Sequence, residues 1–111
     1  MNSERQPCVY ILASKPHGTL YIGVTSDLVR RIWQHRGGVI KGFTKRYAVR
    51  HLVRFELFDA MDTAIIREKR LKNWRRQWKI NLFESENPDW HDHAPAIGLP
   101  PLVLHLPRDG S

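Results

Sequence analysis

The chain contains one cysteine, Cys8, among its 111 residues. A lone thiol excludes an internal disulfide and any thiolate metal cluster within one chain. Cys8 lies in the apolar run Cys8-Val9-Tyr10-Ile11-Leu12 and reads as a small buried hydrophobe, not a reactive thiol. No apolar run approaches the roughly 20 residues that span a bilayer. The opening residues, Met1 to Pro7, lack the apolar segment of a signal peptide, so a cytoplasmic location is the default expectation. Internal repeats and low-complexity tracts are absent. Acidic side chains are the minority charge, with 11 Asp and Glu against 18 Lys and Arg.

What is present is a basic, aromatic-rich chain of single-domain length. Net charge is +7 and the pI is near 10.1, which implies an acidic partner, most simply a nucleic acid. The positive charge is concentrated in mid-chain. Residues 67 to 79 hold Arg67, Lys69, Arg70, Lys72, Arg75, Arg76 and Lys79, interleaved with Trp74 and Trp78. A second group is Lys41, Lys45, Arg46, Arg50 and Arg54. Lys45, Arg46, Arg70, Arg75 and Arg76 are the candidate nucleic-acid contacts. The two tryptophans either stack on bases or lie in the core. Core is the expectation for Trp78, which falls at helical spacing from Leu71.

Residues 8–13 are apolar, β-branched and aromatic, and read as a strand. Ser14 to Gly18 reads as a turn, and Thr19 to Val24 as a second strand closing an antiparallel hairpin. Ser26 or Asp27 is placed to cap a helix from Leu28 to Arg36, stopped by Gly37 and Gly38. Residues 39–49 read as a basic loop. His51 to Phe58 alternates only in part and reads as a third strand. Asp62 or Thr63 then precedes a longer helix from Ala64 to about Trp78, with a short further helix or turn at 79–86. Asn87-Pro88 ends the regular structure. The expected fold is α+β, a three-stranded antiparallel sheet flanked by helices in the order β-β-α-β-α-(α). Five of the seven prolines fall from residue 88 onward. The expectation is therefore a domain over 1–90 and a proline-rich extended or flexible tail over 91–111.

Candidate chemistry comes from helical stripes and paired tyrosines. Leu28, Arg31, Ile32 and His35 share one helix face at i, i+3, i+4, i+7. Arg31 and His35 thus lie beside two core residues, at the edge of the core. Ala64, Glu68, Leu71 and Trp78 form a second stripe, which puts an acid on a mainly apolar face. An unpaired buried carboxylate is costly, so Glu68 needs a cation beside it. That cation is either a side chain, Arg31 or Lys45, or a metal ion. Tyr10 and Tyr21 are either sheet-packing aromatics or phenols that meet on one face and contact a reacting water.

These residues resemble the GIY-YIG nuclease superfamily, in particular its small single-domain bacterial members, which are similar to excision-nuclease N-terminal domains. The second half-motif stands intact as Tyr21-Ile22-Gly23, and the first as Cys8-Val9-Tyr10, which keeps the tyrosine of Gly-Ile-Tyr. Arg31 falls where the family has its catalytic arginine, His35 where many members have a histidine, and Glu68 where the family has its metal-binding glutamate. The resemblance covers roughly residues 6 to 90. It implies phosphodiester hydrolysis with one divalent ion, Mg2+ or Mn2+, held by Glu68. It further implies Tyr21 as general base, Tyr10 and His35 as its hydrogen-bond network, and Arg31 as the cation facing the phosphoryl oxygens. Gly23 and Asn81 are further possible site residues, with Asn87 as the alternative to Asn81. Val24 stands where several repair members carry a lysine, and Lys45 is a candidate to supply that charge.

The leading expectation is a metal-dependent DNA endonuclease, structure-selective and acting in repair or recombination. The alternatives are a DNA- or RNA-binding module with weak or no cleavage, and a nuclease needing a protein partner to deliver substrate. His91 and His93 read as solvated residues, not zinc ligands.

Overall fold

A computed structural model describes residues 6–37 and 48–99. Most of the expected basic loop, including Lys45 and Arg46, lies outside the described residues, as does the chain beyond Leu99.

The sheet is three-stranded and antiparallel. β1 (Cys8–Ala13) pairs with β2 (Leu20–Thr25) on one side and with β3 (His51–Leu57) on the other, giving the order β2-β1-β3. All six residues of β1 are buried, which explains their uninterrupted apolar character. Val9, Ile11 and Ala13 enter one core with Ile22, Val53 and the helical residues Ala64, Leu71, Ile80 and Phe83. Tyr10 and Leu12 enter a second core on the opposite face with Ile32, Val49, Leu52 and Ala94. The partial alternation of the third strand has a local cause. The pairing shifts between Ile11 and Leu12, so that Ile11 faces Arg54 while Leu12 faces Leu52. This bulge resets the alternation, so Leu52 and Phe55 both pack with Tyr10 although they stand three positions apart.

α1 (Leu28–Arg36) begins where the cap signal places it. Asp27 accepts a hydrogen bond from the Arg30 amide at 3.2 Å. Gly37 follows the helix but stays right-handed, with φ −79°, so its role is to end the helix without a left-handed turn.

The second helical region departs from expectation. In place of one helix over 64–78 there are two, α2 (Met61–Asn73) and α3 (Arg76–Glu84). Ala60, not Asp62 or Thr63, is the N-cap of α2, and no side chain caps it. Trp74 and Arg75 break the run with extended backbone, ψ 150° and 149°. No glycine or proline marks the break. Instead Trp74 packs against the core, and the Arg76 guanidinium donates to the carbonyls of His17 at 3.0 Å and Gly18 at 2.5 Å, in the turn between β1 and β2. These contacts hold α3 at a new angle. Trp78 therefore leaves the stripe begun by Leu71 and is 52% exposed, while Ile80 and Phe83 take the buried positions.

Past α3 the chain folds back under β3. The Asn87 side chain donates to the carbonyls of Val53 at 3.1 Å and His91 at 2.9 Å, and accepts from the His91 amide at 2.9 Å. Trp90, at φ 58°, turns its indole edge-on to Phe83 and donates to Glu84 at 2.6 Å. Asp92 accepts from the Leu52 amide at 3.0 Å and pairs with Arg36. A short 3-10 helix, Ala94–Ile97, closes the core on the Tyr10 face, with Ala94 fully buried. Residues 91–99 thus lie against β3 and α1, on the far side of the boundary expected at residue 90.

Replacing Asn87 with Ala removes three hydrogen bonds and leaves buried partners unpaired. The expected loss is about 2 kcal/mol or more in urea unfolding, with the m-value unchanged. Asn81→Ala, on the exposed face of α3, is expected to change stability by less than about 0.5 kcal/mol.

Candidate active site

Strand register brings the two tyrosines together. Tyr10 stands opposite Gly23, and Tyr21 opposite Leu12, in the β1–β2 ladder. Residues opposed in an antiparallel ladder share a face, so both phenols lie on the same side of the sheet. Gly23 is required by close approach: a Cβ there would sit 2.4 Å from Tyr10 Oη. The phenol of Tyr10 crosses this gap and shares a 2.9 Å hydrogen bond with His35 Nε2, from the last turn of α1. The three rings form a triangle, with centroids 6.3 Å apart for Tyr10–Tyr21, 5.7 Å for Tyr10–His35 and 5.5 Å for Tyr21–His35.

Burial decides the charge state of this cluster. It pushes the Tyr10 phenol well above its ordinary value; nearby Tyr21 pushes the same way and Arg31 opposes. His35 is 3% exposed, and burial pulls its imidazole down to about 4, with the Arg31 cation adding to the effect. Near neutral pH the phenol of Tyr10 keeps its proton and the imidazole is uncharged.

Arg31 is half-buried, as the α1 stripe implies, and lies within electrostatic reach of both Tyr10 and His35. It lines a polar recess with Thr25, Ser26, Asp27, Arg30 and Gln34 at the start of α1. Glu68 is buried on α2 between Ala64 and Leu71, and its charge is felt at Tyr10. Among the described residues its ion-pair partner is not Arg31; Lys45, the other expected cation, lies outside them. Lys72, one turn further along α2, places its Nζ 2.6 Å from Glu68 Oε2. Lys72 also lines a hollow with Leu20, Tyr21, Ile22 and Lys79, beside the tyrosine triangle. Neither lysine was singled out by the sequence. The signal was the i, i+4 spacing of Glu68 and Lys72, which is common on solvated helices and so easily passed over.

The donor set bears on which metal fits. Among the described residues no group of three His, Cys, Asp or Glu converges. A single carboxylate suits magnesium, which keeps its waters and takes further oxygens from a substrate phosphate. Glu68 therefore fits a hard divalent ion and does not fit a zinc cage.

Other expected residues lie elsewhere. Arg70 and Arg75 are exposed, and the Arg75 guanidinium stands 5.5 Å over the Trp78 ring. Arg76 anchors α3 to the hairpin turn, and beside Lys79 it adds to the effect of burial in lowering that lysine's pKa. Asn81 is exposed and accepts from the Gln77 side chain at 2.9 Å. Asn87 is buried in the fold-back beneath β3. Neither asparagine joins the tyrosine cluster through the contacts seen here. Cys8 is buried and its thiol is pushed up to about 12, which leaves it inert as a nucleophile. No helix among the described residues is long and apolar enough to cross a membrane.

Comparison with known proteins turns this geometry into a family assignment. The GIY-YIG catalytic domain matches residues 6–81, a span that contains both tyrosines, Arg31, His35 and Glu68. The chain belongs to the GIY-YIG family. Its relatives include a UPF0213 protein of Haloquadratum walsbyi, 36% identical over 76 residues, covering 68% of this chain and 84% of the relative. A UPF0213 protein of Clostridium perfringens is 33% identical over 91 residues, covering 82% and 97%. The solution NMR structure of UPF0213 protein BH0048 from Bacillus halodurans superposes with a TM-score of 0.49 at 28% identity, covering 78% of this chain and 92% of that one. GIY-YIG membership makes this a chain of a nuclease family, with nucleic acid as the implied substrate.

Two outcomes follow from the site's geometry. Between pH 6.5 and about 4 the unfolded chain binds a proton at His35 that the folded chain refuses. Stability is full above that window and falls through it on acidification, by at most about 3 kcal/mol from this residue. Urea unfolding at stepped pH is expected to show this slope, and His35→Gln to flatten it. Gly23→Ala drives a methyl into the Tyr10 phenol and is expected to cost about 1–3 kcal/mol in the same measurement.

Proposed function

We propose that this protein is a metal-dependent endonuclease that hydrolyses DNA phosphodiester bonds. The observation that supports this most is the convergence of Tyr10, Tyr21 and His35 in one ring cluster, with Arg31 and the carboxylate of Glu68 both within electrostatic reach of it. A core packed only for stability gains nothing from a buried acid and two phenols around a neutral imidazole.

In this reading each side chain has a role suited to its surroundings. Tyr21, half-buried at the hollow, aligns the attacking water and takes its proton as the phenol's own proton passes out to solvent in the hollow. Tyr10, kept protonated by burial, holds the His35 imidazole and orients the cluster. His35, uncharged near neutral pH, shares the Tyr10 hydrogen bond and fixes the two phenols beside the hollow. Arg31 faces the phosphoryl oxygens and offsets the charge that grows on them. Glu68 would hold a divalent ion, which would supply Lewis-acid polarisation of the phosphate and charge stabilisation of the leaving oxygen. Arg70 and Arg75, on the exposed surface of the helical layer, draw the DNA backbone in. The setting we assign is cutting of branched DNA in repair or recombination, with a protein partner sharing the targeting.

A second reading is a nucleic-acid-binding module that cuts poorly. The Glu68–Lys72 ion pair is the observation on its side, since it satisfies the carboxylate without a metal.

The experiment is nicking of supercoiled plasmid and branched DNA with Mg2+ or Mn2+, alongside a binding assay. Tyr21→Phe, Arg31→Ala and Glu68→Ala are each expected to lose at least about 100-fold in cutting rate while binding persists. DNA binding by a folded wild type that cuts neither substrate would favour the binding module. Unfolding of Glu68→Ala would make the carboxylate structural and weaken the nuclease reading.

A further inference from the structure

We propose that Lys72 is a positioning residue that occupies Glu68 until a nucleic-acid phosphate draws it away, so that metal and substrate load together. The inference rests on Glu68 being the metal ligand, as read above.

The pair is asymmetric. Glu68 has a side chain 11% exposed, fixed in the buried stripe of α2 between Ala64 and Leu71. Lys72 is half-exposed, and its ammonium rides on a flexible four-carbon stem. The carboxylate stays while the ammonium is free to leave. A carboxylate this buried needs a cation, and Lys72 supplies one in the absence of metal. A divalent ion and an ammonium repel each other, so both do not settle on Oε2 at contact distance. Metal binding at Glu68 therefore carries the cost of displacing Lys72. A half-exposed ion pair is weak, which keeps that cost small enough to overcome.

The displaced ammonium has somewhere to go. Lys72 lines the same hollow as Tyr21 and Lys79, between β2 and the helical layer. Lys79 is partly desolvated there and already repelled by Arg76, so a second ammonium turned into the hollow needs an anion to share. A phosphodiester oxygen beside Tyr21 provides it. Phosphate in the hollow stabilises the displaced Lys72, and displaced Lys72 leaves Glu68 to the metal. By linkage each ligand raises the affinity of the other by the same factor. Without substrate the lysine competes with the metal for the carboxylate and weakens its binding.

The test is Mn2+ binding followed by electron paramagnetic resonance, with and without a cut-resistant phosphorothioate oligonucleotide. Wild type, Glu68→Gln, Lys72→Met and Lys72→Arg are compared after a thermal melt confirms that each is folded, with Lys72→Gln in reserve should Lys72→Met not fold. Glu68→Gln is expected to abolish binding at this site. Lys72→Met is expected to bind Mn2+ about three- to tenfold more tightly than wild type when no oligonucleotide is present. The oligonucleotide is expected to tighten Mn2+ binding by a larger factor in wild type than in Lys72→Met, and Lys72→Arg to restore the wild-type factor. If Glu68→Gln abolishes binding but Lys72→Met binds no more tightly than wild type, the role of Lys72 is overturned and the metal reading stands. If Glu68→Gln leaves Mn2+ binding unchanged, Glu68 is not the ligand and both readings fall.

Discussion

Burial of β1 on both faces is the constraint on which the remaining structure depends. A strand of six residues with no exposed side has to place every side chain in a core, including the polar end of Tyr10. A buried phenol needs a hydrogen-bond partner, and the partner it meets is His35. The imidazole is then buried in its turn, which removes its charge near neutral pH. Gly23 follows from the same constraint, because a strand neighbour with any side chain would collide with the phenol. One packing requirement thus sets the glycine, the histidine and the protonation states around them.

The helical layer answers a different need. It closes the other face of β1 with Ala64, Leu71, Ile80 and Phe83, yet it carries Glu68 into that apolar surface. Its break at Trp74 and Arg75 lets one sequence region serve two surfaces. α2 carries the acid and Lys72 toward the tyrosines, while α3 brings Lys79 to the hollow and leaves Trp78 outward. A single straight helix would keep Trp78 on the Leu71 stripe.

The residues after α3 complete the core on the Tyr10 face. Asn87 and Asp92 bind backbone groups of β3, and Arg36 joins Asp92 from α1. The end of α1 that carries His35 is therefore tied to the edge strand through a segment far away in sequence. Proline content marks this stretch as irregular, but irregular backbone packs well when its polar groups find partners.

Much was legible in the sequence because its signals are local. The hairpin, the Asp27 cap, the α1 stripe of Ile32 and His35, and the placement of Glu68 on an apolar face all depend on neighbours within a few residues. The order of the tyrosines, arginine, histidine and glutamate carried the family assignment. Tertiary structure decided what local spacing does not encode. The bulge in β3, the break before α3 and the outward turn of Trp78 come from packing against distant strands. The choice of Lys72 over Arg31 as the partner of Glu68 turned on which cation the fold brings within contact distance. Periodicity assigns a side chain to a face of its own element; only the assembled core determines what that face meets.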